Sequence, residues 1–171
     1  MRQKLIFGIL IGIILVSGCT TQSEYTTKIF NNDGSKPTSP MDLQLNVTTL
    51  PNREMEITVR VSKAQFVSNF NAPNVTMKII LPSQLQLIEG KPGWYGDIYG
   101  DQVVERRIRV KAINNGEGTV EAYAVTAPIG EYEYYFGDTE KFYVYVTDNK
   151  IRISETPFTK WGGPRSQIEA V

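Results

Sequence analysis

The chain of 171 residues contains no histidine and a single cysteine, Cys19. The missing imidazole removes both the commonest general base and the commonest transition-metal ligand. Zinc, copper and haem sites lose their usual donors, and Ser-His or Cys-His catalytic pairs cannot be assembled. One thiol cannot close an intrachain disulfide, so packing alone must hold the fold. A surplus of charge is lacking too, with 18 Lys and Arg against 18 Asp and Glu. Phosphate backbones need a basic surplus, which excludes nucleic acid as a partner. Beyond residue 19 no stretch carries a 3.6-residue apolar period, the mark of an amphipathic helix.

What is present begins with a leader. Met1-Arg2-Gln3-Lys4 is short and basic, Leu5 to Val16 is apolar apart from two glycines, and Ser17-Gly18-Cys19 closes the run. This order describes a secretory signal peptide. As a helix, Leu5 to Gly18 rises only about 21 Å, short of the ~30 Å hydrocarbon core of a bilayer. A retained membrane anchor is therefore the weaker reading, as is a secreted protein whose only thiol falls here by accident.

Val16-Ser17-Gly18-Cys19 resembles the lipobox of prokaryotic lipoproteins, departing from it in having Val16 where leucine is commoner. The resemblance implies cleavage before Cys19 and a diacylglyceryl group on its sulfur, with membrane lipid as the first partner and the outer side of the cell membrane as the location. Two acyl chains hold durably, because each buried CH₂ contributes ~0.8 kcal/mol and one chain alone is marginal. Arg2 and Lys4 leave with the leader, so the mature chain has a small acidic surplus.

From Thr20 to Pro40 the chain is rich in Thr, Ser, Asn, Gly and Pro. It reads as a tether spanning roughly 25 Å root-mean-square, within which Ile29-Phe30 suggests a short strand. After Pro40 the apolar period becomes two. Leu43, Leu45 and Val47 form one run, and Met55, Ile57, Val59 and Val61 the next. Val75 to Leu81, Leu85 to Ile88, Val104 to Ala112, Val120 to Ala124 and Phe142 to Val146 follow. Alternation puts one face of each run in a core and the other in water. Asn114-Asn115-Gly116-Glu117-Gly118 tolerates positive φ and predicts a hairpin between the fifth and sixth runs. Seven such strands predict an all-β antiparallel sandwich of immunoglobulin-like order. The predicted organisation is a leader at 1–18, lipidated cysteine and tether at 19–40, sandwich at 41–150 and a C-terminal extension at 151–171, with one more strand at Ile151-Arg152-Ile153.

Three phrases sharpen this: Asn74-Val75-Thr76-Met77-Lys78-Ile79-Ile80-Leu81-Pro82, then Leu85-Gln86-Leu87 with Gly90, then Trp94-Tyr95-Gly96-Asp97. Together they resemble the immunoglobulin-like domains of prokaryotic surface and adhesion proteins, over about Pro40 to Asp148. The resemblance implies a non-catalytic module that presents surfaces. It assigns no catalytic residue, metal or cofactor.

The strongest recognition signal is Glu131-Tyr132-Glu133-Tyr134-Tyr135-Phe136, between the last two predicted strands. Tyrosine offers a large apolar face and a hydroxyl at low entropic cost. Tyr132, Tyr134 and Tyr135, with Trp94, Tyr123, Tyr143 and Tyr145, are the candidate contacts for a protein or glycan at the envelope; the plainer account is that aromatics favour strands. Asp97 and Asp101 are expected in a glycine-rich loop, where with Asp148 they would offer oxygens to calcium or paired acids to hydrolysis, against a plain turn-capping role. Arg106, Arg107, Arg109 and Lys111 are expected to face Glu54 and Glu56 across neighbouring strands rather than bind a polyanion. Asn46-Val47-Thr48 and Asn74-Val75-Thr76 are N-glycosylation sequons. Lys160-Trp161-Gly162-Gly163-Pro164 is expected to dock on the domain or a partner. The sequence thus predicts a lipid-anchored binding, adhesion or assembly module, with an accessory subunit of a membrane complex and a protease inhibitor as alternatives.

Overall fold

The structure, a computed structural model, describes residues 27–30, 39–65, 67–127, 136–158 and 168–169. Every described regular element is a strand: β1 Thr27–Phe30, β2 Met41–Leu50, β3 Glu54–Lys63, β4 Asn71–Ile80, β5 Leu85–Gly90, β6 Gly93–Tyr99, β7 Val104–Ala112, β8 Gly116–Val125, β9 Gly137–Val146, β10 Ile151–Ser154 and β11 Ile168–Glu169. They form two antiparallel sheets, ordered β1-β2-β3-β7-β5 and β11-β10-β9-β8-β4-β6. The sheets face each other as a β-sandwich.

The period-two pattern accounts for the core. Leu43, Leu45 and Val47 of β2, with Ile57 and Val59 of β3, are fully buried. So are Val75 of β4, Ala122 and Ala124 of β8, and Phe142 and Val144 of β9 on the other sheet. These side chains belong to one cluster, and each large aliphatic removed from water stabilises the fold by ~1.5–3 kcal/mol. A buried carboxylate also links the two sheets: the Leu43 N–H donates to Asp138 Oδ2 at 3.2 Å, and the Thr139 N–H donates to Oδ1 at 2.9 Å.

The outer face of the first sheet carries the expected charges. Glu54 pairs in register with Lys111 and Glu56 with Arg109. Ion pairs join Arg107 to Glu56 at 3.6 Å, Arg60 to Glu105 at 3.5 Å and Arg109 to Glu89 at 3.5 Å. Arg106 departs from the expectation. It sits opposite the buried Val59, so the strand's alternation turns it to the other face.

Two further expectations are corrected. Residues Asn114 to Gly118 do not make a hairpin, because β7 pairs with β3 and β5 whereas β8 pairs with β4 and β9. The turn carries the chain from one sheet to the other. Gly96 to Tyr99 is not a loop but the second half of β6, which pairs with β4. The short strands expected at Ile29-Phe30 and at Ile151-Arg152-Ile153 are β1 and β10. Cys19 and its leader, and Tyr132, Tyr134, Tyr135 and Trp161, lie outside the described residues.

Replacing Phe142 by Ala should cost ~3–5 kcal/mol of unfolding free energy, the usual range for emptying a buried aromatic site. Arg107→Ala should cost less than ~1 kcal/mol, because its ion pairs are exposed and screened. Urea titration followed by far-UV circular dichroism reads both.

Candidate functional site

Alternation along β6 separates two rows. Trp94, Gly96 and Ile98 face inward, whereas Tyr95, Asp97 and Tyr99 face out. Trp94 lies opposite the buried Met77 and packs on the core. Its indole covers Gly96 so closely that a Cβ there would lie 2.6 Å from the ring. Trp94 is thus placed as a core-facing residue rather than part of an outer aromatic patch.

The outward row is organised by an irregularity in the neighbouring strand. The β4–β6 register shifts between Ala72 and Val75, and Asn74 takes φ +53° there. Asparagine tolerates this left-handed conformation better than most side chains. The turn frees the Asn74 N–H, which donates to Asp97 Oδ1 at 2.7 Å. The Tyr99 hydroxyl donates to Asp97 Oδ2 at 2.8 Å, and the Tyr95 hydroxyl donates to Asn74 Oδ1 at 2.5 Å. Both rings stay in solvent, Tyr95 at 66% exposure and Tyr99 at 49%. The Asn74 carbonyl accepts from the Ala127 N–H at 3.1 Å. This four-residue cluster therefore adjoins the stem of the connection that contains Tyr132, Tyr134 and Tyr135.

The electrostatics follow from the hydrogen bonds. The Asn74 N–H, and then the Tyr99 hydroxyl, hold the Asp97 carboxyl below its ordinary range. The same carboxylate raises the Tyr99 phenol, mainly through the shared hydrogen bond. With a folded-state value below the unfolded one, the Asp97 contribution is present above the ordinary carboxylate range. It is lost as pH falls through the lowered value.

The tyrosines expected as one patch fall into two groups. Tyr123 lies opposite Lys78 and Thr139, half-buried on the outer face. Glu121 and Lys141 form the next row, and Tyr143 and Tyr145 lie beyond them. Lys141 Nζ stands 5.9 Å from the Tyr143 ring centroid. Tyr145 packs on Phe158 with centroids 5.7 Å apart, and the Phe158 N–H donates to Glu117 Oε1 at 3.0 Å. The C-terminal segment thus docks on the domain through Phe158, which packs on Tyr145, and through β10 and β11, which extend the second sheet beyond β9.

The three expected acids do not converge. Asp97 is engaged as above, Asp101 ion-pairs with Lys63 at 2.6 Å, and Asp148 accepts from Asn115 at 2.6 Å at the other end of the sandwich. Of the two sequons, Asn74 is exposed at the bulge. Asn46 sits in mid-strand between Ile29 and Thr58, with its Oδ1 buried and no hydrogen-bond partner for it among the described residues. Tyr95 and Tyr99 were not legible as site residues. The glycine at 96 interrupts the apolar row that would have announced a strand, although Trp94 and Ile98 keep its period.

Tyr99→Phe should raise the Asp97 titration midpoint without restoring it fully, because the Asn74 N–H remains. Side-chain carboxyl NMR through an acid titration checks this.

No family model matches the chain, and no curated protein matches it.

Proposed function

We propose that the protein is a lipid-anchored envelope module of immunoglobulin-like type that binds a protein or glycan through the end of the sandwich carrying Asn74, Tyr95, Asp97 and Tyr99. The strand distribution supports the type. Taken in chain order, β2, β3, β4, β5, β7, β8 and β9 divide into a first-second-fifth-fourth sheet and a third-sixth-seventh sheet, as immunoglobulin-like domains do. β6 is then an addition beside β4.

The observation that carries the reading is the direction of β1. Thr27 lies opposite Thr48 and Phe30 opposite Leu45, so the chain enters beside the β2–β3 turn. The eight residue steps from Cys19 to Thr27 reach at most about 28 Å. Acyl chains on Cys19 thus place the Pro51–Arg53 turn towards the lipid. The opposite end holds the Asn74 cluster and the paired ends of β8 and β9, between which Tyr132, Tyr134 and Tyr135 fall in the sequence. Lipidation supplies local concentration, so modest affinity at that end suffices.

Native protein should float with membranes and begin at a diacylated Cys19 by intact mass, and Cys19→Ala should release it. Crosslinking on intact cells should be lost when Tyr95, Tyr99, Tyr132, Tyr134 and Tyr135 are changed to Ala, and retained in Tyr145→Ala. An unchanged pattern in the multiple variant removes the outward end as the binding surface.

A further inference from the structure

β6 ends the second sheet, and among the described residues no strand lies beside its outer side. The Ile79 N–H donates to the Pro92 carbonyl and the Gly100 N–H to the Phe70 carbonyl. Even-numbered positions of this segment therefore bond to β4. By the alternation of an antiparallel ladder, Gly93, Tyr95 and Asp97 direct their N–H and C=O groups away from it. Next along, the Tyr99 N–H is taken by the Gln102 side chain at 3.0 Å, which closes the free stretch at three residues.

Exposed edges are normally guarded by charge, proline or a bulge. β5, the corresponding edge of the first sheet, has such guards: a register shift between Leu87 and Glu89, Gly90 at φ +90°, and the Glu89–Arg109 ion pair. β6 is different. Its one charge, Asp97, is folded back onto the Asn74 N–H and the Tyr99 hydroxyl, and Tyr95 likewise leans back to Asn74. Among the described residues, no side chain thus covers the main-chain edge at Gly93, Tyr95 and Asp97.

The order of residues on this edge is self-complementary. We infer that a second copy of this chain pairs antiparallel along β6, with the two-fold axis at Tyr95. Each Tyr95 then exchanges both main-chain hydrogen bonds with its counterpart, and Gly93 of one copy does so with Asp97 of the other. No like charges face each other in this register, and Trp94 lies opposite Gly96, the one position on its face without a side chain. The contact is isologous and closes as a dimer. Its axis is normal to the sheet, so the strands of the two copies run in opposite directions. For lipid-anchored molecules (the reading proposed above) the two anchored ends point apart, which suits copies on facing surfaces. The pairing itself uses no lipid and stands independently of the anchor.

Sedimentation equilibrium of the full chain in a density-matched detergent tests the inference. The wild type should show a monomer–dimer equilibrium. Tyr95→Pro deletes an N–H that β4 does not use, and it should raise the dimer dissociation constant at least ~10-fold while leaving the far-UV spectrum unchanged. Tyr95→Lys keeps that N–H, sets two cations across the axis, and should weaken the dimer similarly. Gly93→Glu, facing Asp97 of the other copy, should also weaken it. A wild type that stays monomeric overturns the proposal and leaves the edge to a foreign strand. A folded Tyr95→Lys variant that dimerises as the wild type does also overturns it, because the contact must then lie elsewhere.

Discussion

Two apolar sheet faces pressed together are the constraint on which the rest of this molecule depends. Without a second cysteine no disulfide can close the chain, so the interlocked layer of Leu45, Ile57, Val75, Ala122 and Phe142 must overcome the conformational entropy of ordering the strands. That layer obliges each strand to keep its alternation, and the alternation dictates what faces water. A one-residue slip of β8 or β9 would send Ala122 or Phe142 outside and bring Tyr123 or Tyr143 in. The buried Asp138 adds a specific tie where β2 and β9 meet, accepting the Leu43 N–H. This bond favours one arrangement of the two sheets, because an arrangement that parts β2 from β9 loses it.

The two outer faces solve different problems. On the first sheet, Glu54, Glu56, Arg107, Arg109 and Lys111 alternate in sign across β3 and β7, which keeps a broad surface soluble without contributing much stability. On the second sheet, charge gives way to tyrosine near the bulge. There Asn74 uses its left-handed backbone to turn an N–H towards Asp97, and the two neighbouring phenols complete the network. Hydrogen bonds hold the hydroxyls while the rings remain in water, so the two phenols are pre-organised without being buried. Tyr145, by contrast, is engaged with Phe158 from the same chain, so composition alone does not separate a solvent-facing tyrosine from a packing one.

Much of the fold was legible. The alternating runs from Leu43 to Val146 matched β2, β3, β4, β5, β7, β8 and β9, because a half-buried strand repeats with period two. The adjacency of β3 and β7 was expected from the strand order, in which the second and fifth strands are neighbours, and it sets Glu54 opposite Lys111 and Glu56 opposite Arg109. The β7–β8 turn was misread. Asn114 to Gly118 has hairpin chemistry, but local φ preference says nothing about whether the next strand returns to the same sheet or crosses to the other. β6 was missed as a strand because Gly96 leaves a gap in its inward row, a gap filled by the indole of Trp94. The candidate site suffered most, since its residues come from β4 and β6 and meet only through a register shift.

By itself, then, the sequence determined the single cysteine, the all-β class, the inward and outward faces of most strands, and the lack of histidine donors. Those properties are local or compositional, and a short window of side chains carries each of them. Tertiary structure decided which turn crosses between sheets, which end of the sandwich β1 enters, that Trp94 faces the core, and that Asn74, Tyr95, Asp97 and Tyr99 stand together. These depend on strand pairing between residues some 20 to 100 positions apart. Such pairing is selected by the fit of the whole core, and no local window contains it.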